Sequence, residues 1–254
     1  MGPRRKIVAA ASSAAAIRQA LFSHENPAQA AVLRRFFKTG PGEYGAGDQF
    51  WGLKVPQVRA VLARFPDVAR ATAGELLDSP VHEVRLCGAL ALVRAYAQGG
   101  PDERAAVFDF YLSRSARINN WDLVDASAPG IVGRHLPPGG GRRTLGRLAQ
   151  SRNLWERRIA MVATLEHIRA GNLENTFWLA ERLLDDPEDL MHKATGWMLR
   201  EAGKRDAEAL ENFLGRHAER MPRTALRYAI ERLAPTERRK WMGKKIRVNF
   251  MCKP

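Results

Sequence analysis

From residue 13 onward the chain repeats one pattern: a Pro, Asn or Asp start, apolar residues spaced by three and four, then a Gly, Pro or Asp stop. Two-residue alternation, the mark of half-buried strands, is almost absent. Asn26-Pro27 reads as a cap followed by the first helical residue, with Leu33, Phe36 and Phe37 on the apolar face and Gly40 at the end. Pro56 opens the next helix, whose apolar positions are Val58, Val61, Leu62 and Phe65. Asp186-Pro187 repeats the start device before LMHKATGWMLREAGK, which closes near Gly203. The pattern predicts roughly a dozen or more helices with short polar connections.

These helices fall into pairs of about 35–45 residues with weak self-similarity, the period of HEAT and armadillo repeats. The expected fold is therefore all-α, a superhelical array of stacked antiparallel helix pairs, that is, a HEAT-like α-solenoid. A compact bundle is disfavoured because bundle cores rarely need so many short helices. Two breaks interrupt the array. TGPGEYGAGDQFWGL carries Gly40, Gly42, Gly45, Gly47 and Gly52 and is expected to be a surface loop; PPGGGRR at 137–143 separates two helical groups. Helix pairs of similar length continue on both sides, which predicts a single domain over 13–240. A basic, alanine-rich extension (1–12) precedes it and a basic tail (241–254) follows.

Composition narrows the function classes. The chain has 254 residues, 45% of them hydrophobic, enough for a buried core and too many for overall disorder. Its two cysteines, Cys87 and Cys252, supply neither a disulfide framework nor a thiolate metal cluster, which fits a reducing, intracellular, cytoplasmic setting. No apolar run approaches the roughly 18–20 residues that span a bilayer, so no membrane partner is expected. The opening MGPRRKIVAAASSAAA superficially resembles a targeting segment, but Arg18 interrupts the apolar stretch and no small-residue cleavage site is evident.

Charge adds the main functional hint. Lys and Arg number 41 against 27 Asp and Glu, a formal net charge of +14. The segment from Arg216 to the end contributes +9 of this, and Arg216, Arg220, Arg223 and Arg227 recur at three and four residues, one cationic stripe if helical. Solvated faces of an arginine-rich protein are the plain alternative; a polyanion partner explains the clustering better.

Three segments could carry chemistry. In INNWDLVDASAPGIVGRHL, Asn119 or Asn120 can cap a helix on which Trp121 and Asp125 lie four apart on one face, with Asp122 a first-turn acid and Pro129 ending or kinking the helix. Taken alone, the pair reads equally as a core aromatic with a satisfied acid. LMHKATGWMLREAGK places Lys193, Trp197 and Arg200 on one face, suited to stacking on bases or sugars while gripping phosphates, although Trp197 could equally be core. RNLWERRIAMV sets Trp155 and Arg158 three apart with Arg157 on an adjacent face. The six histidines are scattered without ligand spacing, and there is no phosphate loop or nucleophile elbow, so no metal and no cofactor are expected.

Together, and in this order, GEYGAGDQFWGLKVPQVR, NNWDLVD, LWERRIA, HKATGWMLRE and MPRTALRYAIERL resemble the AlkD-like DNA alkylation repair family of HEAT-like-repeat glycosylases, over about residues 16 to 240. The resemblance implies a monofunctional enzyme that excises cationic N3- or N7-alkylated purines from double-stranded DNA in base excision repair. It implies Asp125 and Trp121 as the catalytic carboxylate and aromatic, Trp197 as the second catalytic aromatic of the cleft, and Arg158 and Arg200 as backbone contacts. Lys193 and Arg157 are added as DNA-binding candidates from their place beside these residues. Phe36, a further DNA-binding candidate, stands where the family has an N-terminal Tyr and has no hydroxyl. A monomer without an obligate protein partner is expected, working at the nucleoid. The alternative is a non-catalytic relative that binds bent, branched or damaged DNA; a protein-interaction scaffold is a third reading.

Overall fold

The computed structural model describes residues 12–243. Over them the chain forms fourteen α-helices, a 3-10 turn at Ser115–Arg117 and a π turn at Pro129–Gly133, and the extended pairing is one isolated bridge between Gln49 and Val81. The all-α fold of stacked helix pairs is thus as the apolar spacing implied. The chain divides into two compact units, one ending at Ser127 and the other beginning at Ala128. The division falls near Pro129, which ends the regular helix, and not at PPGGGRR. The expected extension, apart from Ser12, and the tail beyond Gly243 lie outside the described residues.

The first unit holds α1 (Ala14–Phe22), α2 (Pro27–Phe36), α3 (Val55–Ala63), α4 (Arg70–Leu77), α5 (His82–Gln98), α6 (Pro101–Ser113) and most of α7 (Trp121–Ala128). Helix α5 is apolar on all sides from Leu86 to Leu92 and is accordingly buried, with α3, α4 and α6 packed around it. Gly88 lets α4 close on it, since a methyl there would lie 2.8 Å from the Ala73 carbonyl oxygen. Asn26 caps α2 as its sequence suggests, its Oδ1 accepting from the Gln29 N–H at 3.0 Å.

The second unit holds α8 (Arg142–Ala149), α9 (Leu154–Arg169), α10 (Glu174–Arg182), α11 (Asp189–Gly203), α12 (Ala207–His217), α13 (Arg223–Ala229) and α14 (Pro235–Met242). Helices α9, α11 and α13 pack in succession, partnered by α8, α10 and α12. At Gly196 a methyl would run into the Ala225 carbonyl of α13, so glycine permits that close approach.

Four sequence expectations change here. Asp186 is not the cap residue of α11, which starts at Asp189; it is buried, its Oδ1 accepts from the Glu188 N–H at 3.0 Å, and its carboxylate also grips Arg157, Nε at 2.6 Å and Nη2 at 3.2 Å, a charge-assisted pairing. The basic residues 216–227 do not form one stripe, because Pro222 ends the run between α12 and α13; Arg220 pairs with Asp185 and Arg223 donates to the Met242 carbonyl. Trp241, at the expected start of the tail, closes α14 and is 6% exposed. The glycine-rich segment is not wholly on the surface: Phe50 and Leu53 at its end are core residues. No described helix is long and apolar enough to cross a membrane.

Candidate functional site

The geometry begins at the first turn of α7. Asn120 is fully buried and its Oδ1 accepts from the Trp121 N–H at 2.8 Å, which satisfies one of the donors every helix start leaves open. Trp121 and Asp125, one turn apart, are both partly exposed, while Leu123 and Val124 between them are buried. Behind this helix the Tyr111 hydroxyl donates to Ser127 Oγ at 2.8 Å, and Ser127 in turn donates to the Leu123 carbonyl. Burial, and the charge of Asp125 in electrostatic reach, push the Tyr111 phenol far above its ordinary range against the pull of the Ser127 bond.

Trp121 lies on an aromatic stack. Its ring is parallel to Phe37 at 5.2 Å and 21°, Phe37 stacks on Phe50 at 5.2 Å, and Phe36 meets the indole edge-on at 5.8 Å. Phe37 is core, whereas Phe36 is 61% exposed. The two neighbours at the end of α2 therefore divide the work, one supporting the indole and the other standing beside it in solvent.

Under the stack sits a buried ion cluster. The His82 imidazole, 2% exposed, packs against both Phe37 and Phe50, 4.7 Å from each ring. Its Nε2 meets Asp122 Oδ2 at 2.8 Å and its Nδ1 meets Asp48 Oδ2 at 3.3 Å, while Arg85 Nη2 reaches that same Asp48 oxygen at 2.7 Å. Burial alone would depress the His82 pKa, but the two carboxylates outweigh it and raise it to about 9. Burial likewise opposes ionisation of Asp48, yet His82 and Arg85 hold its carboxyl below the usual range. A raised folded pKa contributes stability that is full below the unfolded value near 6.5 and lost as pH climbs through about 9; a lowered carboxyl contributes above 3.8 and is lost in acid. Urea midpoints measured against pH are thus expected to plateau between these limits and to fall on the alkaline side, a fall that His82→Gln removes.

Glu83, next to His82 and 1% exposed, fixes the end of the glycine-rich loop. Its carboxylate accepts from three successive backbone N–H groups, Trp51 at 3.2 Å, Gly52 at 2.7 Å and Leu53 at 3.1 Å. Gly52 has φ +91°, and a Cβ there would strike the Asn26 carbonyl, so only glycine fits. The loop that delivers Asp48 and Phe50 is thereby tied to the start of α5.

In the second unit, α11 presents Lys193, Trp197 and Arg200 at its spacing of four and three, all partly exposed. Lys193 pairs with Asp189 at 2.8 Å; Arg200 pairs with Glu231 and Glu201. Trp197 lines a cavity of about 470 Å³ with Leu165 and Ile168 on its apolar side and Arg169, Lys204 and Arg205 as its basic groups. Arg158 is 5% exposed and donates to the Leu190 carbonyl at 2.6 Å, and Trp155 is buried beside it in sequence on α9. Arg157 is held by Asp186. Among the described residues, no three His, Cys, Asp or Glu side chains converge to hold a metal ion.

Sequence reasoning thus singled out Trp121, Asp125 and Phe36 but missed Asp48, His82, Glu83, Arg85 and the supporting Phe37. A signal was present: HEVR sets three ionisable side chains at the head of a helix that is otherwise apolar all round. Charges on such a helix are buried and must have partners.

Comparison with known proteins bears on this arrangement. The family model described as DNA alkylation repair enzyme matches residues 17–233. A solved structure described as a predicted DNA alkylation repair enzyme from Enterococcus faecalis superposes with a TM-score of 0.63 at 18% identity, covering 83% of this chain and 97% of that one. None of the curated proteins matches significantly.

Proposed function

We propose that this chain, which belongs to the family of DNA alkylation repair enzymes, is a DNA glycosylase that hydrolyses the N-glycosidic bond of cationic N3- or N7-alkylated purines in duplex DNA. The observation that carries the reading is α7: an indole mounted on an aromatic stack, with a carboxylate one turn further along and solvent access to both.

These residue types suit that reaction. A purine alkylated at N3 or N7 is already positive and leaves without a strong general acid. Positive charge instead develops on the deoxyribose as the bond stretches, and a fixed carboxylate stabilises that state more than the ground state. Asp125 takes this role and positions the water that attacks the anomeric carbon. Trp121 offers its π face to the same charge, an interaction worth about 0.5–2 kcal/mol. Phe36 gives the exposed apolar neighbour that a nucleotide can pack against.

The second unit carries DNA-binding candidates of its own in this reading. Trp197 stacks on nucleotide, and Lys193 and Arg200 exchange their carboxylate partners for phosphates. Arg157 and Arg158 act from within: the first fixes the segment before α11 through Asp186, the second its first turn through Leu190. Lys193 is paired with Asp189, and the proposed reaction uses water and not a lysine Schiff base, so strand cleavage is not part of it. The protein acts as a monomer in the cytoplasm, at the nucleoid.

Selectivity in this scheme follows the charge of the leaving base. With duplexes carrying one lesion each, N3-methyladenine and N7-methylguanine are expected to be released, and a neutral lesion such as uracil is not. Release of uracil at a comparable rate contradicts the reading.

A further inference from the structure

Two acids distant in sequence converge on the two nitrogens of one buried imidazole: Asp48 from the glycine-rich loop and Asp122 from the first turn of α7. A neutral imidazole donates from one nitrogen only, whereas an imidazolium donates from both. With Arg85 on Asp48, two cations balance two anions when His82 is charged, and one buried negative charge is left over when it is not. The geometry therefore selects the cation.

This cation is joined to the proposed chemistry by two routes. Asp122 is the immediate neighbour of Trp121 and lies three residues before Asp125 on the same short helix. Phe37 packs against both the imidazole and the Trp121 ring. We infer that His82 is a positioning residue for base release: its imidazolium clamps the first turn of α7 and so sets the Trp121 ring and the direction of the Asp125 carboxylate. The inference rests on the glycosylase reading above. Charged groups facing His82 are Asp48 from the loop, Asp122 from α7 and Arg85 from its own helix, while the neighbouring Glu83 is turned to the backbone of residues 51–53. Loss of the proton leaves a donor for only one of the two carboxylates, so the imidazole no longer ties the loop to the first turn of α7.

The test uses the full chain labelled with 5-fluorotryptophan, the Trp121 resonance being assigned with Trp121→Phe. Circular dichroism at each pH confirms that the fold is kept. The Trp121 resonance, the His82 imidazole signals and the single-turnover rate of N3-methyladenine release, corrected for spontaneous loss, are expected to titrate together with a midpoint near pH 9. One pH unit above that midpoint the rate falls about tenfold, while affinity for DNA stays within about threefold. Asp48→Asn removes one carboxylate and is expected to move all three midpoints to lower pH by the same amount. A resonance and a rate that stay flat while His82 titrates in folded protein overturn the proposal, as does His82→Gln at wild-type rate with no alkaline limb. Absence of base release by the unmodified chain at every pH strikes the glycosylase reading instead, and the fluorine resonance still decides whether the clamp holds Trp121.

Discussion

Asp125→Asn is expected to slow release of N3-methyladenine from duplex DNA by about 10²–10³-fold, the scale on which one preorganised electrostatic group contributes to a transition state. The amide keeps the shape and removes the negative charge, so it withdraws stabilisation from the oxocarbenium-like sugar without emptying the site. Affinity for the same duplex is expected to change by less than about threefold, because one acid beside a polyanion adds repulsion and not grip. Rapid-quench kinetics with enzyme in excess separate the two quantities. A parallel loss of affinity and rate would instead identify Asp125 as an organiser of the surface. Trp121→Ala should be milder in rate, since the π face is worth about 0.5–2 kcal/mol, but should also loosen the aromatic stack.

Glu83→Ala is expected to be strongly destabilising, by about 3–5 kcal/mol, because it leaves the backbone N–H groups of residues 51–53 without their acceptor in a buried place. Glu83→Gln, with one acceptor oxygen and two unwanted donors, should cost about half as much. Urea denaturation followed by far-ultraviolet circular dichroism gives both values. The consequence extends beyond stability, since the loop released by this change carries Asp48 and Phe50. Where the variant still folds, the His82 signals are expected to broaden or shift. An unchanged urea midpoint in Glu83→Ala would mean that water replaces the carboxylate at little cost.

The fold was legible because helix period and stop signals are local. Asn26-Pro27, the apolar spacing of Val58, Val61, Leu62 and Phe65, and Pro129 each act within a turn or two, and the structure places each as its local chemistry requires. What escaped was long-range. Asp186 looks like a cap until the guanidinium of Arg157, twenty-nine residues earlier, is brought to it. Arg216 to Arg227 look like a stripe until Pro222 is given its break.

The site was legible to the same extent. Trp121 and Asp125 share one short helix, so their spacing alone put them on one side. Phe36 and Phe37 were one apolar face in the sequence, yet one is solvent-exposed and the other is core, a distinction set by where Trp121 arrives from α7. The support beneath them joins residues near 37, 50, 83 and 122, and no local period encodes that meeting. Only the burial of HEVR at the head of an apolar helix hinted at it.

One assay weighs the whole reading: incubation of the unmodified chain, in excess, with a duplex carrying a single N7-methylguanine, with free base, strand integrity and DNA binding read from the same samples. Free N7-methylguanine released well above spontaneous depurination, from strands that break only after alkali, is the outcome expected of a monofunctional glycosylase. Saturated binding with release at the spontaneous rate would contradict it and leave a protein that recognises DNA without acting on the glycosidic bond.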